Sequence, residues 1–537
     1  MAELNKVLGS FKPDNLFAAN QELPAVADAL EIAASQNLKR GSLVTKDGVL
    51  VDANDTEVYA VLAKDCDTTD GAREAAVYLT GEFNIDEVKV NENVDNMFAV
   101  NVSARRTGIF LKPHSKMPPV KSMTLRFKFS KELYNPVTDG VGTSGTWKQV
   151  LSSPNIWDWT NNNSSWATAF GGGSTSAPGA FVDSDNLVKV IDAGDTSSVT
   201  NFSRLFQNCT AVTSVCQIDT RNATTVYLMF SHCEKAERLP NLNLSNCNDA
   251  RGIFQYCMKL KEAPHLIMPS IPISFQALFD SCSELEEVSI DFCNKATILA
   301  NAFRYCTRLK SADIHNTSGA TATSQMFSHC ENLESVALFD TSDVTDMSGM
   351  FRECYNIKHI PLFDTRNVNN FGHFAHRCYM LEDFPPLNTP KATKMNRIAS
   401  LCQKLKSFPL LDTHNVTTFG SMLSGHSSTY DTDYPMHLES IPAFDYSSAE
   451  SLEDAFGNNI SLKTVPVINA PNATDVRHIF MNCVNVESGA LACFQAMSTQ
   501  ATPPQDHSRA FENCGIDTPT GAAELAQIPS SWGGLAE

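Results

Sequence analysis

Residues 326–354 read MFSHCENLESVALFDTSDVTDMSGMFREC, a stretch that begins and ends on the same phrase. Met326-Phe327-Ser328-His329-Cys330 returns as Met350-Phe351-Arg352-Glu353-Cys354, 24 residues on. The period runs through the chain. Cysteines stand at 209, 233, 257, 282, 306, 330, 354, 378 and 402, in steps of 24 with a single step of 25. His426 takes the next cysteine slot, Asn459 fills it after 33 residues, Cys483 after 24 and Cys514 after 31. Most registers are introduced by an apolar residue followed by Phe, as at Leu205-Phe206, Met229-Phe230, Leu278-Phe279 and Ile479-Phe480.

Each register has the same apolar pattern. The third residue after the cysteine is apolar (Leu260, Leu285, Leu309, Leu333, Ile357), as is the sixth (Leu239, Val288, Val336, Ile360, Phe384) and usually the ninth (Leu242, Phe339, Phe363, Leu387). The seventh is often proline, as at Pro361, Pro385, Pro409 and Pro466. Proline donates no backbone hydrogen bond, so a column of these positions cannot form a full ladder. A short strand is expected there, then a turn such as FDTSDV. After it, the spacing of Val344, Met347, Met350 and Phe351 predicts a short helix or helical turn. A unit this small cannot bury its apolar edges alone, and stacked neighbours bury a continuous core. The fold class this predicts is an α/β solenoid of the leucine-rich-repeat kind.

The bulk numbers point to two or more domains or an extended repeat array. A chain of 537 residues exceeds one compact core. The net charge of −19 disfavours binding to nucleic acid or anionic membrane, both themselves anionic. No run of about 18 apolar residues occurs, so no membrane insertion is expected. The start, MAELNKVLGSFKPDN, has neither a basic region nor an apolar run of the secretory kind, and a product made and left in a cytoplasm, or released by lysis, is the expectation. Sixteen cysteines would suggest disulfides, but their spacing follows the repeat. They read as buried free thiols in a column, which the replacement of one by His426 and another by Asn459 supports.

The phrases FDTSDVTDMSGMF and LFDTRNVNNF resemble the repeats of the BspA-like leucine-rich family over about residues 176–515. That family occurs on bacterial surface proteins and in phage proteins. The resemblance implies the fold far more than an activity.

Residues 1–112 lack the repeat. SLVTKDGVLVDA (42–53) reads as a hairpin, YAVLAK (59–64), AAVYLTGEFN (75–84) and AVNVSA (99–104) as strands, and LPAVADALEIA (23–33) as a helix. Arg40-Gly41, the Asp-rich stretch from Asp65 to Gly71, Gly81-Glu82-Phe83 and a final GIFL (108–111) resemble the lambda-type phage head decoration proteins. That family has no catalytic residues. It forms trimers that clamp capsid subunits, using an N-terminal arm. The resemblance implies a capsid-docking domain over 1–112, a homotrimer, the major capsid protein as partner and a place on the outer surface of the virion. Phe11, Pro13 and Phe17 in the arm are the candidate capsid contacts.

Residues 113–175 read as a linker and cap. TLRFKF (124–129) is a strand and GGGSTSAPG (171–179) a loop. The aromatic run IWDWTNNNSSWATAF (156–170) would cover the open end of the solenoid, with a sugar platform of Trp157, Trp159 and Trp166 as the alternative. Residues 176–537 hold the solenoid, with an inserted helix expected in GALACFQAMSTQA (489–501) and the closing cap in AAELAQIPSSW (522–532).

Little chemistry stands out. His373, His376 and Cys378 are three zinc-type ligands close together, but Cys378 belongs to the inward column. Asp340, Asp343 and Asp346 fall three apart, unlike the alternate ligands of a calcium loop, and read as turn and cap residues. No cofactor, metal site or enzyme activity is expected. SSTYDTDYPMH (427–437) lengthens one repeat by nine residues. It offers Tyr430, Tyr434 and His437 as candidate contacts to a host-surface protein or glycan, a plain solvated loop being the alternative. The expected function is that of a virion decoration protein or head fibre projecting an adhesive solenoid, the alternative a bacterial surface adhesin.

Overall fold

The computed structural model describes residues 27–39, 42–47, 49–51, 58–63, 66–78, 81–84, 109–112, 124–129, 146–150, 153–160, 186–192, 196–197, 199–425 and 435–537. The chain divides into two compact units, Met1–Val120 and Lys121–Glu537.

In the first unit an antiparallel sheet runs in the order Ala27–Ile32, Arg73–Tyr78, Ala60–Leu62, Leu43–Val44. The expected hairpin is present: Thr45 N donates to Val49 O at 2.9 Å and Val51 N to Leu43 O at 3.0 Å. Ile32, Leu38, Val44, Ala60, Leu62 and Val77 form a small core. The helix expected over 23–33 is instead a strand, Ala27–Ile32, each residue of which faces one of Arg73–Tyr78. Leu30 and Ile32 satisfy a period of two as well as a helical one, and pairing with a formed sheet decides between them. Gly81–Asn84 pairs in parallel with Ile109–Lys112, and the strand expected over 99–104 lies outside the described residues.

The second unit opens with a sheet in which Thr124–Phe129 pairs with Ser153–Thr160 on one side and Leu187–Asp192 on the other. Leu187–Asp192 then runs parallel to Ser214–Val215, so antiparallel strands cover the edge of the first coil.

From there the chain is a solenoid with a 24-residue period. Parallel bridges join Asn201, Thr225 and Asp249 in turn, and later Ile298, Ala322, Asp346, Asn370, Lys394, Thr418, Ser451, Asp475 and Asp506. Behind each bridge the expected helix is absent. In the coil of Met350, N–H groups alternate between two destinations. Met350, Arg352 and Cys354 donate three residues back, to Met347, Gly349 and Phe351. Met347, Gly349, Phe351 and Glu353 donate to Asn370, Gly372, Phe374 and His376 of the next coil, the last three at 2.8 Å. Half the donors hold the neighbour, so an i to i−4 ladder cannot form. The run advances as turns with two residues at positive φ, here Gly349 at 62° and Glu353 at 60°. Apolar residues three and four apart still face inward, which explains why the spacing looked helical.

The cysteines at 209, 233, 257, 282, 306, 330, 354, 378, 402, 483 and 514 are wholly buried in the column, and none is in a disulfide. Beside them Phe206, Phe230, Phe254, Phe279, Phe303, Phe327 and Phe351 stack at 5.1–5.9 Å. A third column is threonine: Thr317, Thr341, Thr365 and Thr389 each donate through Oγ1 to a carbonyl one coil on. The far end is closed by helices Ala490–Ser498 and Pro519–Leu525 and by Trp532, which stacks on His507 at 4.2 Å.

Candidate binding surface

In most coils of the site the seventh position is proline, with Ala337 in its place before Leu338. In the five-residue strands Glu287–Asp291 and Ser311–His315, coils pair in parallel and side chains alternate in and out. Where Pro361, Pro385 and Pro442 stand, no strand forms. Instead Phe363 N donates to Pro361 O (2.9 Å), Leu387 N to Pro385 O (2.8 Å) and Phe444 N to Pro442 O (2.9 Å). A bond two residues back closes a three-residue turn with the intervening residue at its apex. That residue is Leu362, Pro386 or Ala443, and it projects into solvent while Ile360 and Phe363 on either side are buried.

The apex positions stack from coil to coil. Leu338 is 63% exposed, Leu362 56%, Leu410 66% and Val467 61%, with exposed Pro386 and Ala443 filling the steps between. At ~4.8 Å per coil the row extends about 24 Å. Four large aliphatics this exposed in one register are not scattered surface residues; a contiguous apolar strip of this kind marks an interaction site. In earlier coils the slot holds Gln217, Asn241 and His265, so the strip begins at Leu338.

Charge frames it on both sides. Four residues after the cysteine slot, and nine residues later in the lengthened repeat that holds Glu439, the sign alternates with each coil: Glu237, Lys261, Glu286, Lys310, Glu334, Lys358, Glu382, Lys406, Glu439, Lys463, Glu487. Lys310 meets Glu286 at 3.0 Å and Lys463 meets Glu487 at 3.3 Å. Such a ladder neutralises itself. On the other side, two residues past the apex, stand Asp340, Asp364, Asp412 and Asp445. Asp364 is paired with Arg366, Asp412 with His414, while the Asp340 and Asp445 carboxylates accept from Ser342 and Ser447. The hydrogen bonds from Arg366, His414 and Ser447 hold Asp364, Asp412 and Asp445 below the usual carboxylate range. The strip therefore has an anionic border.

The histidines of FGHFAHRC serve the fold. The His373 and His376 rings meet edge to face at 5.4 Å, and Cys378 Sγ points inward to donate to Phe351 O at 3.1 Å. Among the described residues no group of three His, Cys, Asp or Glu side chains is placed to hold a metal ion. Burial, reinforced by nearby Arg397 and Arg352, brings His373 down to about 4; burial, with His373 and the same arginines, brings His376 to about 2. Beside them buried Glu353 accepts from His329 (3.0 Å), Tyr355 (3.0 Å), Arg352 (3.3 Å) and Arg377 (3.3 Å). Burial pushes its carboxyl up, but these partners outweigh it and bring the carboxyl to about 2. Asp340 and Asp346 accept from the N–H groups of Ser342 and Ser348, as turn residues do.

Of the residues singled out in the sequence, His437 is half-buried and bonds Ser461 Oγ one coil on at 3.2 Å, as a member of the stack. Tyr430 and Tyr434 lie outside the described residues, as do Phe11, Pro13 and Phe17. The apex row and the alternating charges went unread in the sequence. Both are visible once the repeats are aligned on the cysteine and the fourth and eighth columns are read down.

Residues 175–292 and 297–409 match the family described as Mycoplasma protein of unknown function, DUF285. A leucine-rich repeat protein from Eubacterium ventriosum, known from a crystal structure at 2.50 Å, is 15% identical; the likeness covers 59% of this chain and 81% of that one, with a TM-score of 0.28. No curated protein matches the chain. The family match falls on the repeats, and the second unit is a repeat solenoid of stacked 24-residue coils similar to that family over those residues.

Proposed function

We propose that the chain is an adhesive binding protein and not an enzyme, with the solenoid as its recognition surface and the first unit as its attachment point. The aliphatic row of Leu338, Leu362, Leu410 and Val467 carries the reading, because solvated leucines repeated in one register serve a partner and not the fold. The resemblance of residues 1–112 to head decoration proteins makes a phage capsid the proposed anchorage, with the chain trimeric on the outer surface of the virion and the solenoid turned to a host-surface protein or glycan. The repeat-family match favours a second reading, a bacterial surface adhesin of the BspA-like kind.

The test is co-sedimentation of the full chain with purified lambda-type phage heads and, separately, with bacterial cells. Capsid binding at a fixed stoichiometry together with cell adhesion supports the virion reading. Adhesion without capsid binding supports the second. Turnover of a glycan or peptide by the pure chain would overturn both.

A further inference from the structure

The apex row has a shape and a border that specify its occupant, an inference that rests on the proposed binding role and names the partner's chemistry. We infer that it docks a cationic amphipathic helix of a partner protein, about four to five turns long, lying along the stack of coils.

Length and pitch come first. The row from Leu338 to Val467 presents one aliphatic side chain per coil, a repeat of ~4.8 Å, and a helix presents one face residue per turn of ~5.4 Å. Over about 24 Å the two repeats drift apart by about 3 Å, two residues of helix rise, so a helix of roughly 16 residues centred on the row keeps its apolar face within about one residue of the coils from end to end. An added β-strand fits less well. Pro361, Pro385, Pro409, Pro442 and Pro466 remove the N–H donors of the column beside the row, leaving no regular backbone ladder for an incoming strand to extend.

The border sets the sign. Asp340 accepts from the Ser342 N–H, Asp445 from Ser447 and Asp412 from His414, and they stand two residues past the apex residues Leu338, Ala443 and Leu410. The opposite border alternates in sign from Glu334 to Lys463 and contributes no net field. Lysine or arginine flanking the helix's apolar face meets the aspartates, whereas an anionic helix or an anionic lipid surface is repelled.

The test uses the full chain and three labelled 18-residue probes followed by fluorescence anisotropy. The first is a Leu/Lys peptide with leucines at helical three–four spacing, the second has Glu in place of Lys, and the third is the Leu/Lys composition scrambled. The expected result is binding of the first alone, weakened roughly tenfold or more by Leu362→Ser with Leu410→Ser, and several-fold by Asp340→Asn with Asp445→Asn or by raising NaCl from about 0.05 to 0.5 M. Unchanged thermal melting confirms that these surface variants fold. Equal binding of the scrambled peptide, or indifference to the leucine variants, overturns the inference. So does a self-associating chain that the leucine variants render monomeric, or flotation with phosphatidylcholine vesicles that they abolish, since each names a different occupant. If the leucine variants lose cell adhesion while no probe binds, the helix fails and the binding role stands; if adhesion persists and the first probe binds as expected, the surface stands and the adhesive role fails.

Discussion

Cys354 Sγ donates to the carbonyl oxygen of Phe327, one coil back, at 3.1 Å. The same bond recurs from Cys233 to Phe206, Cys306 to Phe279, Cys378 to Phe351 and Cys483 to Phe456, at 3.1–3.3 Å. The turn at Phe327 spends its N–H on the next coil, and the thiol reaches into its carbonyl from that side. Cysteine suits the slot because it is small, apolar and a weak donor at once. Where Asn459 replaces it, Nδ2 takes over the bond, donating to Leu423 O at 2.8 Å.

The column predicts the thiol chemistry. Burial pushes these thiols far up, to about 12 at Cys402 and Cys483, so thiolate is absent at neutral pH. Exposed Cys293 should react first with a thiol reagent, and Cys306, Cys330 and Cys354 only after denaturant is added. Peptide mapping of the labelled native protein checks this; rapid labelling of those three would refute the inward column.

Phe327 stacks between Phe303 at 5.5 Å and Phe351 at 5.7 Å and has no exposed surface. Phe327→Ala should cost about 3–5 kcal/mol, since neighbours pinned by coil-to-coil bonds cannot collapse into the cavity. Leu362→Ser, on the exposed row, should change stability by no more than about 0.5 kcal/mol. Denaturant midpoints of the two variants separate a core column from a surface one.

The alternating ladder predicts a salt-dependent defect. Lys310→Glu places three glutamates on successive coils, 286, 310 and 334, and also removes the 3.0 Å pair with Glu286. Melting temperature should fall at low ionic strength, and the deficit should shrink in about 1 M NaCl, where the Debye length is about 3 Å. A deficit that salt leaves untouched would mean the alternation has no electrostatic role.

Acid should loosen the coils around residues 329–397. His373 and His376 are held below their ordinary value of 6.5, so as pH falls beneath 6.5 the unfolded chain takes up protons the folded chain refuses. Each steepens the loss by up to about 1.4 kcal/mol per pH unit, until the folded groups titrate near 4 and 2. Glu353 acts in the same direction over a lower window, its contribution being full above 4.5 and lost toward about 2. Melting temperature should therefore hold steady above pH 7 and drop from pH 6 to pH 4. His376→Leu should flatten the upper part of that drop, and an unaltered profile would assign the acid sensitivity elsewhere.

The sequence by itself determined the solenoid, its period and its inward columns. A strict 24-residue recurrence of Cys, Phe and aliphatic residues has no way to bury itself except by stacking like on like. It also located the hairpin at 42–53, because alternating apolar residues around Lys46-Asp47 depend only on neighbours in the chain. Tertiary structure alone decided the rest. Val344, Met347 and Met350 have helical spacing, yet their backbone donors are divided between their own turn and the next coil, a partition visible only with the neighbour in place. Residues 27–32 satisfy two periods, and the strand Arg73–Tyr78 across from them selects one. Leu338, Leu362, Leu410 and Val467 are as apolar as the residues beside them. At Leu362 a turn closed on the Pro361 carbonyl, a bond between residues two apart, turns that position outward while Ile360 and Phe363 remain inside.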